Sequence, residues 1–441
     1  MFRKKTILGL LVCIGCTLQL FAQQKPAQWD LKNSIEYALK NNIQVQKSKI
    51  GVSEAKVDLL TAKAARLPSL DGSVSQTFSN SRVAGLSGSY HNSSSVSGRY
   101  SVSSSMTLWN GGKIAKNIEQ QGLQVQLQEL SSSSTENDIT TAITQAYLNI
   151  LYANEAVKID KQTVESSEAQ LKRAKQLLDA GSTSMNDYAQ VETQLSSDKY
   201  TLTAAQNTLD QAKLTLKQLL ELDINDELNI VFPEINDADV LQLVAEKSQI
   251  YNAALSSRPE IKSSQMSIKI AELSLDKSRA AYYPTVSLSG SIGTGNQYNT
   301  NEKFTAQLHN SLYQSLGVTV SIPIFNNRQN KSAVEMAQYE IKNAQLDYTA
   351  AQKTLLKTIE TTYQDVISSQ SKYVAAKDKV KSSEISYSLI NDQFNLGMKN
   401  TVELLSAKTT YLTAQMELLQ AKYSAVLNLK LLNFYQNIPI Q

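Results

Sequence analysis

Residues 63–68, Lys-Ala-Ala-Arg-Leu-Pro, return 216 positions later as Arg-Ala-Ala-Tyr-Tyr-Pro at 279–284. Other landmarks recur in the same register. Ala38-Leu39 returns as Ala254-Leu255, Trp109-Asn110 as Phe325-Asn326, Tyr147 as Tyr363, and Gly181 as Gly397. One such match is chance, but five groups in one register, without a gap, predict an internal duplication. Each copy has the same predicted order: helix, strand, loop, strand, very long helix, turn, helix. The units are a signal peptide at 1–22, a first repeat at 23–221, an inter-repeat segment at 222–257 and a second repeat at 258–441. Within 222–257, a short helix is predicted over Ala238–Tyr251, packed around the waist of the assembly.

Outward from those landmarks, the chain is poor in helix breakers. Lys113–Phe232 has no proline and only Gly122 and Gly181, and Asn326–Ile438 has no proline and only Gly397. Such stretches predict long helices. In the first, Ile143, Ile150, Val157, Val164, Leu171 and Leu178 fall seven apart, with Ala146, Ala153, Ser167 and Ala174 between them. Ile359, Val366, Tyr373, Val380, Tyr387 and Phe394 hold the equivalent places in the second. After each glycine the period resumes, from Tyr188 to Leu216 and from Leu404 to Leu432. A sustained period of seven means coiled-coil packing, with small residues letting helices approach. Lys113–Leu178 would span about 100 Å, and Leu31–Arg66 and Asn186–Glu221 about 54 Å each at helical rise. Two coaxial shorter helices therefore match one long one in a cylinder wall. Pro68 and Pro284 stop the first helix of each copy.

Between those helices, two segments per copy alternate with a period of two. Leu70, Gly72, Val74, Gln76 and Phe78 interleave with Ser69, Asp71, Ser73, Ser75 and Thr77; Tyr100, Val102, Ser104, Met106 and Leu108 interleave with serines and Thr107. Val286–Ile292 and Leu316–Ile324 repeat the pattern. A half-buried soluble sheet would alternate too. Two features favour a membrane strand: segments of about 9–11 residues, enough to cross a bilayer when tilted, and a polar face of Ser and Thr almost without charge. Trp109 and Phe325 at the strand ends suit interfacial aromatics. Asn80–Val96 and Thr294–Gln314 read as external loops and hold both histidines, His91 and His309. Strands can span lipid only in closed barrels, and about eight is the smallest number seen. Four per chain therefore require several chains, and the count alone allows two or three.

The chain begins with an export signal: Arg3, Lys4 and Lys5, an apolar run over Thr6–Phe21, and Ala22 at the cut. A lipid-attachment signal ending at Cys16 is the rival reading, weakened by Cys13 three places upstream and by the apolar run past the cysteine. Both cysteines lie in this segment, so the cleaved chain has no disulfide and no cysteine-based zinc site. Removing the three signal charges from 43 basic residues leaves 40, which balance the 40 acidic ones. That balance leaves no basic field for nucleic acid. No metal ligand set, no cofactor motif and no nucleophile elbow is present, so an enzyme is not expected. A purely structural coiled coil would leave the four alternating segments unexplained.

The order of elements, given twice, resembles the TolC-like outer membrane efflux proteins over essentially the whole mature chain. The marks that carry the resemblance are the junctions Leu108-Trp-Asn-Gly-Gly-Lys113 and Ile322-Pro-Ile-Phe-Asn-Asn-Arg328, and the tips Ala180-Gly-Ser-Thr-Ser-Met-Asn-Asp187 and Leu396-Gly-Met-Lys-Asn-Thr-Val-Glu403. The family implies a mixed membrane fold: a trimeric β-barrel, four strands per chain, continued by a long α-helical coiled-coil barrel. It implies a homotrimer in the outer membrane of a Gram-negative bacterium, reaching through the periplasm to an adaptor and an inner-membrane pump. It places adaptor docking at the tips, here Gly181, Ser182, Thr183, Gly397 and Met398. It places a gate at Asp187, Lys399 and Phe394, where phenylalanine stands for the family's tyrosine and lysine for its arginine, so that the latch is weaker. Glu403 matches a position in the family's inward carboxylate ring, while Ser406 stands where a second acid would be.

Overall fold

The computed structural model describes residues 28–84, 88–298 and 302–440; the expected signal peptide at 1–22 lies outside them. Ten helices and four strands are seen among the described residues. They run α1 (Leu31–Asn41), α2 (Ile43–Ala64), β1 (Ser69–Ala84), β2 (Tyr90–Trp109), α3 (Lys113–Asp179), α4 (Met185–Leu219), α5 (Asp237–Val240), α6 (Lys247–Ser257), α7 (Pro259–Ala280), β3 (Thr285–Gln297), α8 (Phe304–Asn310), β4 (Tyr313–Ser321), α9 (Gln329–Asn395) and α10 (Thr401–Tyr435). Eight of the helices pair one to one at the 216 spacing, with equal bounds: α1 with α6, α2 with α7, α3 with α9 and α4 with α10.

The long helices hold their length because nothing in them stops a helix. Each runs for 67 residues, about 100 Å. Each ends at a glycine with positive φ, Gly181 at 69° and Gly397 at 77°. There the next amide reaches back to close the turn: Ser182 N–H donates to the Leu177 carbonyl and Met398 N–H to the Gln393 carbonyl, both at 2.8 Å. α3 packs against α2 and α4, and α9 against α7 and α10. The shorter helices stack end on end, since Asn42 Nδ2 donates to the Leu219 carbonyl at 3.0 Å.

The sequence predicts one helix over Leu31–Arg66, stopped by Pro68, and the structure differs. Asn42, with ψ at 130°, breaks it into α1 and α2, and its side chain accepts from Gln44 N–H as the cap of α2. Arg258 makes the same break between α6 and α7. The predicted Ala238–Tyr251 helix is likewise two pieces, α5 and α6, and α6 stands at the place equivalent to α1.

The core lies at the waist. Trp29, Ile143, Tyr147, Ile150, Leu216 and Leu220 are fully or almost fully buried in one cluster; Ile250, Ile261, Ile359, Val366 and Leu432 are so in the other. The inter-repeat segment closes over both. Trp29 pairs with Ile230 as a parallel bridge, Tyr147 OH donates to the Val231 carbonyl at 2.5 Å, and Gln370 Nε2 donates to the Val240 carbonyl at 2.9 Å. Burial pushes the Tyr147 hydroxyl up to about 12.

The four strands form one antiparallel sheet in the order β1-β2-β3-β4. Pairing is longer than the alternation predicts. The β1–β2 ladder runs from Ser69↔Ser105 to Ala84↔Tyr90, so most of the expected Asn80–Val96 loop is strand. The other expected loop contains α8, whose Leu308 carbonyl accepts from the Thr294 hydroxyl at 2.5 Å. β4 stops at Ser321 rather than Ile324, because Pro323 has no N–H to give the ladder. Along the register, Leu70, Val74, Val102, Met106, Leu288, Ile292, Leu316 and Val318 share one face. Leu70, Val74 and Leu316 expose more than three-quarters of their surface. The opposite face is a lattice of hydroxyls, with Ser73 and Ser101 oxygens 2.7 Å apart and those of Ser291 and Ser315 2.8 Å apart.

Candidate functional site

Two hairpin tips lie at the end of the helices away from the sheet. The first is the turn between α3 and α4, with Gly181, Ser182 and Thr183; the second is the turn between α9 and α10, with Gly397 and Met398. Both re-enter the helix through a reciprocal cap. In the first, the Ser184 hydroxyl donates to Asp187 Oδ2 at 2.6 Å while Asp187 N–H donates back to Ser184 Oγ at 3.1 Å. In the second, Glu403 N–H donates to Asn400 Oδ1 at 2.9 Å and Asn400 N–H to Glu403 Oε2 at 3.2 Å. This is the pattern that satisfies the orphan amides of a helix start.

The acids are thereby held ionised. Hydrogen bonds from Ser184 foremost, then from Thr183 and from Thr401 of the other hairpin, keep the Asp187 carboxyl below its ordinary value. Glu403 is lowered chiefly by Lys399, whose Nζ lies 2.5 Å from Glu403 Oε1. Of the four residues expected at the gate, the structure thus brings Lys399 and Glu403 together on one helix turn. It does not pair Lys399 with Asp187 within the chain. The capping boxes take both carboxylates, and Asp187 meets the second hairpin through Thr401 instead. Phe394 is buried at the end of α9, packed in the wall. Met398 is exposed. Trp109, half exposed at the end of β2, stands edge-on to Tyr283 at 6.1 Å; Phe325 is exposed just beyond β4.

One cluster escaped the sequence reading. Asp198 on α4 and Lys408 on α10 form an ion pair at 2.8 Å, with side-chain exposures of 8% and 3%. The Ser167 hydroxyl of α3 bonds to both, and Gln194 Nε2 donates to Asp198 Oδ1 at 2.8 Å. In sequence these are ordinary charges on a coiled-coil helix; the signal lay in their falling on the buried side of the seven-residue period, between Leu195 and Leu202 and after Leu404.

Among the described residues no group of His, Asp or Glu is arranged to hold a metal ion, and no helix is long and apolar enough to cross a membrane. The latter says nothing of the sheet.

The outer membrane efflux protein family model matches residues 34–221 and 250–435. The outer membrane protein TolC of Escherichia coli (strain K12) is 23% identical over 431 residues, 95% of this chain and 84% of that protein. The toxin and drug export protein A of Aggregatibacter actinomycetemcomitans is 22% identical over 397 residues, 90% of this chain and 83% of its own length. Among solved structures, the outer membrane protein VceC of Vibrio cholerae aligns with a TM-score of 0.76 at 17% identity, over 93% of this chain and 97% of that one. CusC aligns with a TM-score of 0.78 at 20% identity, over 92% and 91%. These likenesses establish the fold: a helical majority with a small four-stranded sheet.

Proposed function

The chain belongs to the outer membrane efflux protein family, and from that premise we propose that it is the outer-membrane channel subunit of a tripartite efflux or type I secretion system. It is an outer membrane protein of a Gram-negative bacterium, and its family members are channels rather than enzymes. In the proposed assembly three internally duplicated chains close a twelve-stranded barrel over a helical tunnel. The conduit is passive. It opens when the tips around Gly181, Ser182, Thr183, Gly397 and Met398 dock with a periplasmic adaptor and an inner-membrane pump.

The observation that carries this reading is the sheet. It has two unpaired edges, β1 and β4, one face apolar and exposed, the other lined with hydroxyls, and each half of it continues into a helix of 67 residues. Open edges are untenable in lipid, and further copies of the same sheet supply the missing partners. Trp109 and Phe325 then sit at the membrane interface. Asp187, Phe394, Lys399 and Glu403 line or support the constricted entrance, with Glu403 the inward carboxylate.

The test is direct. The protein should resist osmotic release, require detergent for extraction, migrate as a trimer, and conduct ions in a planar bilayer. A protein freed by osmotic shock that forms no channel would refute the reading. Glu403→Gln should lower the cation preference of single channels; unchanged selectivity would remove Glu403 from the constriction.

A further inference from the structure

One face of the sheet changes its chemistry partway up. Below, it is the apolar face of Leu70, Val102 and Leu288. Higher, the same alternation brings out Gln76, Asn80 and Arg82 from β1, Asn92 and Tyr100 from β2, and Asn296 from β3. At the boundary three polar side chains converge over Gly98, which is buried. A Cβ placed there would come 2.9 Å from both Gln76 Oε1 and the Tyr100 hydroxyl, and closer still to Asn296 Oδ1. The Tyr100 hydroxyl donates to that Asn296 oxygen at 3.3 Å. The missing side chain thus leaves a shallow cradle walled by two amides and a phenol. Above it, past the exposed Phe78, stands Arg82. Among the described residues it is the one charged residue that the register puts on this face of the strands. Its guanidinium lies 5.5 Å from the centre of the Tyr90 ring. The second copy does not repeat the arrangement: 216 residues on stand Ile292 for Gln76, Gln314 for Gly98, Leu316 for Tyr100 and Tyr298 for Arg82.

Resting on the channel reading above, we propose that this face binds a phosphorylated glycolipid of the outer leaflet, one per chain and three around the barrel. Height decides the class of lipid. From Trp109, at the lower interface, to Gly98 is eleven residues, about 37 Å along a strand and about 28 Å in height at a tilt of about 40°. The cradle therefore stands at the top of an apolar band that is about 25 Å tall in such barrels. From Gln76 to Arg82 is six residues more, about 20 Å along the strand and about 15 Å in height. The polar zone of an ordinary bilayer is only about 5–8 Å deep on each side. A glycerophospholipid seated at the cradle ends short of Arg82, whereas a lipid headed by a chain of sugars reaches both. Its first sugar sets hydroxyls against the cradle, where Gln76, Asn296 and the Tyr100 oxygen offer acceptors. Asn80 and Asn92 place amides in the interval. Arg82 takes a phosphate on the outer sugars, for which a guanidinium fork is suited. The acyl chains lie along Val74, Val102 and Ile292 below.

The experiment is native mass spectrometry of the full-length trimer in detergent. It is incubated with a lipopolysaccharide of short, phosphorylated core, with the same lipid dephosphorylated, or with phosphatidylglycerol. The phosphorylated glycolipid should stay bound at up to three per trimer, at least tenfold more tightly than phosphatidylglycerol. Dephosphorylation should weaken it about tenfold, and so should Arg82→Gln, with no further loss when the two are combined. Gly98→Val fills the cradle and should weaken binding at least fivefold. The added side chain meets only the ends of Asn296, Gln76 and Tyr100, so the sheet keeps its fold. Gln314→Val, at the equivalent place in the second copy, should change nothing. Equal retention of phosphatidylglycerol, indifference to dephosphorylation, wild-type binding by Arg82→Gln and Gly98→Val, or an equal loss from Gln314→Val would overturn the proposal. The dephosphorylated lipid needs no variant, so a substituted protein that fails to assemble leaves the test intact. A trimer that conducts but holds no glycolipid overturns this inference alone; a protein that forms no trimeric channel overturns the channel reading as well.

Discussion

The two joints between sheet and long helix solve one problem with different residues. Both need two consecutive residues in the left-handed region to turn the chain from strand into helix. The first uses Gly111 and Gly112, at φ of 67° and 82°. The second, 216 residues on, uses Asn327 and Arg328, at 51° and 68°. Glycine enters that region freely, whereas an L side chain pays a steric cost there. The backbone path is thus what the two copies share, and the residues best suited to it are kept in only one. Elsewhere the difference is reversed. Asn42 caps its break with a single 2.9 Å bond to Gln44 N–H, while Arg258 fills its break by stacking 4.8 Å from Phe434 and 4.7 Å from Tyr435.

The joints can be set against each other by substitution. Gly111→Ala should be the most damaging, because its Cβ would meet the Ala280 carbonyl at 2.8 Å and Tyr283 Cβ at 2.9 Å in addition to the strained φ. A loss of about 3 kcal/mol is expected by denaturant unfolding in detergent. Gly112 has open space around it, so Gly112→Ala should cost only the conformational term, about 1 kcal/mol. Arg328→Gly should gain about 1 kcal/mol by the same term. That gain is reduced by a few tenths for the exposed Glu335 pair at 3.0 Å. Equal and opposite effects at 112 and 328 would establish that backbone conformation is what separates the joints; a loss at 328 would place the value of Arg328 in its contacts.

At the far end of the helices the comparison is closer. Ser184→Ala and Asn400→Ala should each cost about 1 kcal/mol of local stability, read as faster amide exchange in the first turns of α4 and α10. Both capping acids are held below their ordinary values. Their contribution is therefore full at neutral pH and is lost as pH falls below the ordinary carboxylate range, towards the lowered folded values. Protection at both tips, relative to the free-amide exchange rate at each pH, should fall in acid. The smallest effect belongs to Lys399→Ala, because its pair with Glu403 is solvent-screened, and it should be confined to the second tip. An equal change at the first tip would indicate a link from Lys399 to Asp187 across chains.

What the sequence discloses follows from where its signals come from. Helix extent is legible because breakers are rare and decisive: the bounds predicted from Gly181, Gly397, Pro68 and Pro284 lie within a few residues of those observed. The break at Asn42 is not, since what makes it a cap is its buried contact with Gln44 N–H and with the Leu219 carbonyl, the second of which lies far off in the chain. The outer half of the β1–β2 hairpin was hidden for a related reason. Asn80–Val96 is polar, and ladder pairing is made by backbone groups indifferent to that polarity. The buried Asp198–Lys408 pair was least legible of all. Its partners lie 210 residues apart, and each alone is a charge like many others on a helix.

The hydroxyl lattice of the sheet bears on what can travel past it. Ser69 with Ser105, Ser73 with Ser101, Ser79 with Ser95 and Ser291 with Ser315 bond to each other across the strands. Each pair spends one of its two hydroxyl donors on the wall and keeps the other, with acceptor lone pairs, for water. In the proposed channel a passenger would meet short, uncharged hydroxyls at close and regular intervals, each offering a weak hold and each much like the next. In the proposed channel such a lining would be a smooth track with no resting place, indifferent to the chemistry of the cargo, and would leave discrimination to whatever loads the tube from below.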